Sequence, residues 1–180
     1  MFSINDCIVY ARTGVCKIVD IRKEKFGGHE NMTYYVMQPV HSKQSVVYSP
    51  VGRNLEKFRE IMTIDEVNDL IRAMPDEKTI WIVNDQDRNE KFSEILKEGS
   101  QRDLVKLIKT MYFHRDNQLL IGKRLHVSDE RIMKDAERIL YDEFAYVLNI
   151  KPDEVLLFIS GDLDLTAAQG NGEAKTLKAV

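Results

Sequence analysis

The chain has little cysteine, little proline, one tryptophan and no long apolar run. Its 180 residues include 2 Cys, 4 Pro and 1 Trp. Two cysteines are too few for a disulfide scaffold. Cys7 and Cys16 read as reduced, buried thiols in neighbouring strands, although strands so placed would also let them face each other. No apolar stretch approaches the ~20 residues that span a bilayer, so no membrane contact is expected. Met1–Asp6 has neither the basic flank nor the cleavage site of a signal peptide, which makes the cytoplasm the expected location. Signatures of catalysis are also missing. There is no P-loop, G-x-G-x-x-G, H-E-x-x-H or C-x-x-C, and His29, His41, His114 and His126 are scattered. Asp162-Leu163-Asp164 is too short to argue a metal site, and Asp85 and Asp87 read as solubilising. No catalytic residue, metal or cofactor is expected, and the chain is not expected to be an enzyme.

What is present falls into two parts. Apolar runs rich in Val, Ile and aromatics occur at Phe2–Tyr10, Val15–Ile21, Met32–Met37 and Ser45–Ser49, separated by breaks at Gly14 and Gly27-Gly28 and closed by Pro50. Four or five short strands in some fifty residues describe a small SH3-like or Tudor-like barrel. The remainder reads as helix. Thr63 with Glu66 is a capping box opening a helix to about Met74, with Ile64, Val67, Leu70 and Ile71 at helical spacing. A second helix is expected over Asp87–Lys97, and a third after Ser100 with a stripe of Leu104, Val105, Leu107, Ile108, Met111 and Tyr112. Asn117–Val127 is a connector. Ser128 then caps a long helix striped by Ile132, Met133, Ala136, Ile139, Leu140, Phe144 and Val147, and Pro152 starts a short last one. The expected fold is therefore α+β: a barrel over 1–55, an all-α domain of about five helices over 56–160, and a flexible tail over 161–180.

Charge is uneven. Residues 1–55 carry seven basic and four acidic side chains, while 19 basic and 25 acidic side chains follow. An acidic helical half argues against broad DNA binding, which depends on neutralising phosphates. A local basic face remains. Between Arg102 and His126 stand Arg102, Lys106, Lys109, Arg115, Lys123 and Arg124 against Asp103 and Asp116. The first three share one side of the third helix, opposite its apolar stripe. They read as phosphate contacts or, more plainly, as a solvated helix face.

The ordered set Phe2-x-Ile4-x-Asp6-x-Ile8-Val9-Tyr10, Gly14-Val15-x-x-Ile18-x-x-Ile21, Gly28, Tyr34–Met37, Val46-x-Tyr48-x-Pro50 and Phe58–Thr63 resembles the CarD/CdnL family of bacterial transcription regulators. The N-terminal module is similar to the RNA-polymerase-interaction domain of transcription-repair coupling factor. Leu96–Ser100 and Ser128-x-x-Arg131-Ile132-Met133 extend the resemblance to about residue 148. The resemblance implies a barrel that docks on the RNA polymerase β subunit by a strand edge. It also implies a helical domain at the upstream edge of the transcription bubble, where a Trp wedges into the minor groove without reading sequence. On this basis Arg22, Lys23, Glu24, Lys25, Tyr35, Val46 and Val47 are candidates for polymerase docking. Trp81, Arg88, Lys91, Arg102, Lys106, Lys109, Lys123 and Arg124 are candidates for promoter DNA. Trp81 is as readily a core or interdomain anchor. Ile82–Asp87 departs from the family by placing Asp85 and Asp87 where basic residues follow the Trp.

The expected function is modulation of open promoter complex stability by a polymerase-bound regulator. The alternative is a polymerase-binding adapter without DNA contact that recruits, or competes with, another protein. A more distant one is an enzyme with a small-molecule site between barrel and helices. A monomer is expected, with a strand-swapped dimer open to it if a sheet edge is free.

Overall fold

The computed structural model describes residues 1–25, 32–42 and 44–161. The Gly27-Gly28 turn, Lys43 and the segment from Asp162 onward lie outside them. Five strands form one antiparallel sheet: β1 (Cys7–Tyr10), β2 (Gly14–Glu24), β3 (Met32–Pro39), β4 (Val47–Pro50) and β5 (Phe58–Arg59), in the order β4-β3-β2-β1-β5. The sheet therefore takes in Phe58 and Arg59, beyond the boundary expected at Leu55. β2 is long enough to serve both neighbours, and a register shift between Ile18 and Asp20 bends it, so that one strand pairs with β1 at its start and β3 along its length. Ile8, Cys16, Ile18, Tyr35 and Met37 form the core of this part, with Phe2, Tyr10 and Phe58 packed against it.

Five α-helices follow: α1 (Ile64–Ala73), α2 (Asp85–Glu98), α3 (Gln101–Leu120), α4 (Val127–Leu148) and α5 (Val155–Ser160). α1 to α4 each begin at a side chain that satisfies free N–H groups, whereas α5 has no such cap. Thr63 and Glu66 form the capping box read from the sequence, and Ser100 and Asp103 form another. The other two caps differ from expectation. Asn84, not a residue at Asp87, opens α2 by accepting from the N–H groups of Gln86 and Asp87. His126, not Ser128, opens α4, its ring accepting from the Ser128 N–H. The connector expected from Asn117 is helical to Leu120.

α2, α3 and α4 bury Phe92, Ile95, Leu96, Leu104, Val105, Leu107, Ile108, Met111, Ile132, Met133, Ala136, Ile139, Leu140 and Phe144 in one core, as their spacing predicts. Ile64 is the exception to the α1 stripe: it is exposed, while Val67, Leu70, Ile71 and Met74 pack at the core. Gly99 ends α2 where the Ile95 carbonyl leaves no room for a Cβ, so a glycine there is a matter of close approach rather than of dihedral freedom. Among the described residues, no helix is long and apolar enough to cross a membrane.

The two parts meet along α4. Glu143, fully buried in α4, accepts both ends of the Arg59 guanidinium at 2.7 Å each and the Met62 N–H at 3.0 Å. Beside it the His41 ring lies 3.2 Å from the Asp142 carbonyl, and Gly14, at φ 84°, packs next to the Asp142 side chain.

Candidate functional site

β4 lies at the edge of the sheet, paired only with β3. Its partners are Met37 with Val47, Val36 with Tyr48, Tyr35 with Ser49 and Tyr34 with Pro50. Val51 N–H continues the ladder to the Thr33 carbonyl at 2.8 Å. In an antiparallel ladder the bonded pairs alternate, so Val47 and Ser49 turn their backbone groups toward β3. Tyr48 N–H, Tyr48 C=O and Pro50 C=O face the other way. Pro50 accordingly sits inside β4 without breaking a bond, since its missing donor belongs to the outer side. The result is a short edge strand whose outer side has no neighbouring strand among the described residues, with the Pro50 carbonyl taken up by the Arg53 N–H at 3.3 Å; such an edge is the geometry that accepts an added strand.

Around this edge the expected docking residues separate. Val46 is exposed just before β4 and Val47 opens it. Arg22 reaches across the sheet to the Tyr48 hydroxyl at 2.6 Å and pairs with Glu24 at 2.9 Å, so Arg22 and Glu24 belong to one polar cluster beside the edge. Lys23 and Lys25 are exposed at the end of β2. Tyr35 is not available: its ring is in the core and its hydroxyl takes the Phe2 N–H. The alternation that exposes Tyr48 turns Tyr35 inward.

Residues 2–62 match the CarD-like/TRCF RID domain. The match spans the whole sheet, β5 included, and ends at Met62, where the chain meets Glu143. No curated protein is found to match the chain. The match supports an RNA-polymerase-interacting domain over residues 2–62, which hold all five strands of the sheet.

The helical candidates fare differently. Trp81 is half-buried and packs against the helical core, stacked on the His114 ring at 3.4 Å between centroids, with the Arg88 guanidinium 4.4 Å from its own. Arg88 is sealed inside the fold, at 3% exposure. It pairs with buried Asp129 at 2.9 Å and with Asp85 at 2.7 Å, and donates to the Ile82 and Val83 carbonyls. A residue so placed does not reach a phosphate; it holds the Trp81–Asn84 segment against α4.

The expected basic face of α3 is occupied from within the chain. Arg102 and Lys106 both pair with Glu77, and the Lys109 ammonium donates to the Met74 and Pro75 carbonyls at the end of α1. These three cations fasten the Pro75–Lys78 loop to α3, which the sequence could not show because their partners lie 25 to 35 residues away. Lys91 pairs with Glu94 on its own helix. Of the candidates for promoter DNA, Lys123 and Arg124, in the α3–α4 turn, are the two that are exposed without a side-chain partner among the described residues. Between the sheet and α4 runs an open groove lined by Val15, His41, Val47, Arg138 and Asp142. Burial pushes the Asp142 carboxyl up, against the pull of His41 and Arg138. Among the described residues no group of side chains has the makings of a metal site.

His114 gives the Trp81 stack a pH dependence. Burial and the neighbouring Arg88 charge hold its imidazole below the ordinary value, with Asp129 opposing. A histidine whose folded value is depressed contributes stability that is complete above its ordinary value of about 6.5 and is lost as pH falls. Because Trp81 is the only tryptophan, its fluorescence reports the stack directly. The emission is expected to titrate with a midpoint below about 6.5, together with a falling thermal midpoint, and His114→Phe should abolish that titration. A midpoint above the ordinary value would contradict the arrangement.

Proposed function

We propose that the protein is a transcription regulator that docks on the RNA polymerase β subunit through the outer edge of β4 and, so anchored, modulates the stability of the open promoter complex through its helical domain. It acts in the cytoplasm, by binding rather than by catalysis. The open β4 edge within a RID domain carries this reading. Backbone groups along the outer side of β4 would supply affinity, with Val46, Val47 and the Arg22–Glu24 cluster reading the neighbouring side chains.

Tyr48→Pro removes an N–H that faces away from β3, without touching the bonds to β3. It is expected to lower recovery of RNA polymerase by about tenfold or more in co-purification, since a proline ring also obstructs an added strand. Tyr48→Val keeps the donor and should retain most of the recovery. Full recovery with Tyr48→Pro, in a chain that remains folded, would remove the edge from the docking surface.

A second reading, a polymerase-bound adapter without DNA contact, is favoured by one observation. Arg88, Arg102, Lys106 and Lys109 already have partners inside the chain. Titration of fork-junction DNA against rising salt separates the two. Regulation through DNA requires an affinity that falls with salt, and Lys123→Glu with Arg124→Glu should weaken it further.

A further inference from the structure

The α3–α4 turn presents aliphatic side chains to solvent. Leu119, Leu120, Ile121 and Val127 are between 57% and 85% exposed, and Phe113, two turns before Leu120 on the same side of α3, is 63% exposed. Val83 is exposed too, at 86%, and its carbonyl and the Asp129 carboxylate of the first α4 turn both bond the Arg88 guanidinium, which ties its segment to the start of α4. None of this is needed for the core, which Leu125 completes from the same turn. Scattered exposed leucines mean little, but a cluster of this kind marks a contact surface.

The charges around it decide what it contacts. Lys123 and Arg124 are exposed in this turn without a side-chain partner among the described residues, whereas the nearby acids Asp85 and Glu130 are taken up by Arg88 and Lys134. A nucleic acid backbone would answer the two cations but leave the aliphatic side chains uncovered. An apolar centre with a charged rim is the anatomy of a protein interface. We infer that the α3–α4 turn is a docking surface for an amphipathic segment of a partner protein, one with aliphatic anchors over Leu120, Ile121 and Val127 and carboxylates facing Lys123 and Arg124. This takes the adapter reading further and leaves polymerase docking by β4 untouched, since the two surfaces lie at different ends of α4.

The test uses the full-length chain, labelled for amide NMR, and a synthetic helical peptide of about five turns with leucines at i, i+3, i+4 and i+7. Glutamates flank the leucines in one version and lysines in the other. The glutamate peptide is expected to shift the amides of Val83, Phe113 and the turn from Leu119 to Val127, and to bind at least about tenfold tighter than the lysine peptide. Leu120→Ser, and Lys123→Glu with Arg124→Glu, should each weaken it about tenfold while leaving the thermal midpoint and RNA polymerase recovery unchanged. Equal binding of the two peptides, or shifts elsewhere, overturns the inference. Fork-junction DNA shifting the same amides would assign the turn to nucleic acid instead. Shifts that grow with protein concentration alone and vanish in Leu120→Ser would assign it to a second copy of the chain. Loss of polymerase recovery in Tyr48→Pro with peptide binding intact would concern the docking edge only.

Discussion

Arg88→Ala is expected to destabilise the protein by about 3–5 kcal/mol, the largest effect of any single charge removal in this fold. Its partner Asp129 is 2% exposed and would be left as an uncompensated buried carboxylate. Two backbone carbonyls, Ile82 and Val83, would lose their donor as well. The pair itself contributes far less than this, because taking two charges out of water offsets most of their attraction. Replacing both, as Arg88→Met with Asp129→Leu, should therefore bring stability back to within about 1–2 kcal/mol of the original. Urea denaturation of Arg88→Ala measures the cost, and the cycle of the original chain, Arg88→Met, Asp129→Leu and the two together measures the coupling. A single substitution costing under about 1 kcal/mol would mean that water reaches Asp129.

Glu143→Ala should cost less, about 2–3 kcal/mol, although Glu143 is the more deeply buried acid. The difference lies in what is left behind. Arg59 has a side chain 32% exposed and can turn to water, so mainly the Met62 N–H stays unsatisfied. The more telling consequence is local. The ion pair is the strongest polar tie between the RID domain and the helices, so its loss should make the Phe58–Thr63 segment accessible to protease while each part keeps its own core. Glu143→Gln, which can still accept from Met62, is expected to fall between the two. Mass mapping of limited proteolysis checks this: a cleavage pattern unchanged in Glu143→Ala would show that packing alone joins the parts.

Much of the architecture was legible because it follows from local chemistry. The Thr63–Glu66 and Ser100–Asp103 boxes, the stripes of α3 and α4 and the Val- and Ile-rich strands each specify an element within about a dozen residues. The caps at Asn84 and His126 were harder, since acids crowd both helix starts and several residues qualify. The site was less legible, for a physical reason. Basic residues at i, i+4 and i+7 look the same whether they face solvent or a loop brought in from the preceding helix. Glu77 decides the matter for Arg102 and Lys106, and only the fold places it there. Arg88 likewise reads as a helix-surface cation until Asp129 is seen opposite it. The exposed Leu119-Leu120-Ile121 was written in the chain, as an apolar run stopping at Gly122, but fell in the stretch from Asn117 to Val127 read as a connector.

Glu143 sits near one end of α4 and Val127 at the other, a separation of about 24 Å along a straight helix. The RID domain grips the far end from the α3–α4 turn, so α4 behaves as a rod clamped at its base. A tilt of about 10° at the Arg59 clamp moves the turn by about 4 Å, nearly one helical pitch. Where the helical end of this protein arrives on a polymerase is thus set at a residue well away from it, and small substitutions beside Arg59 should re-aim it without altering a single group at the tip.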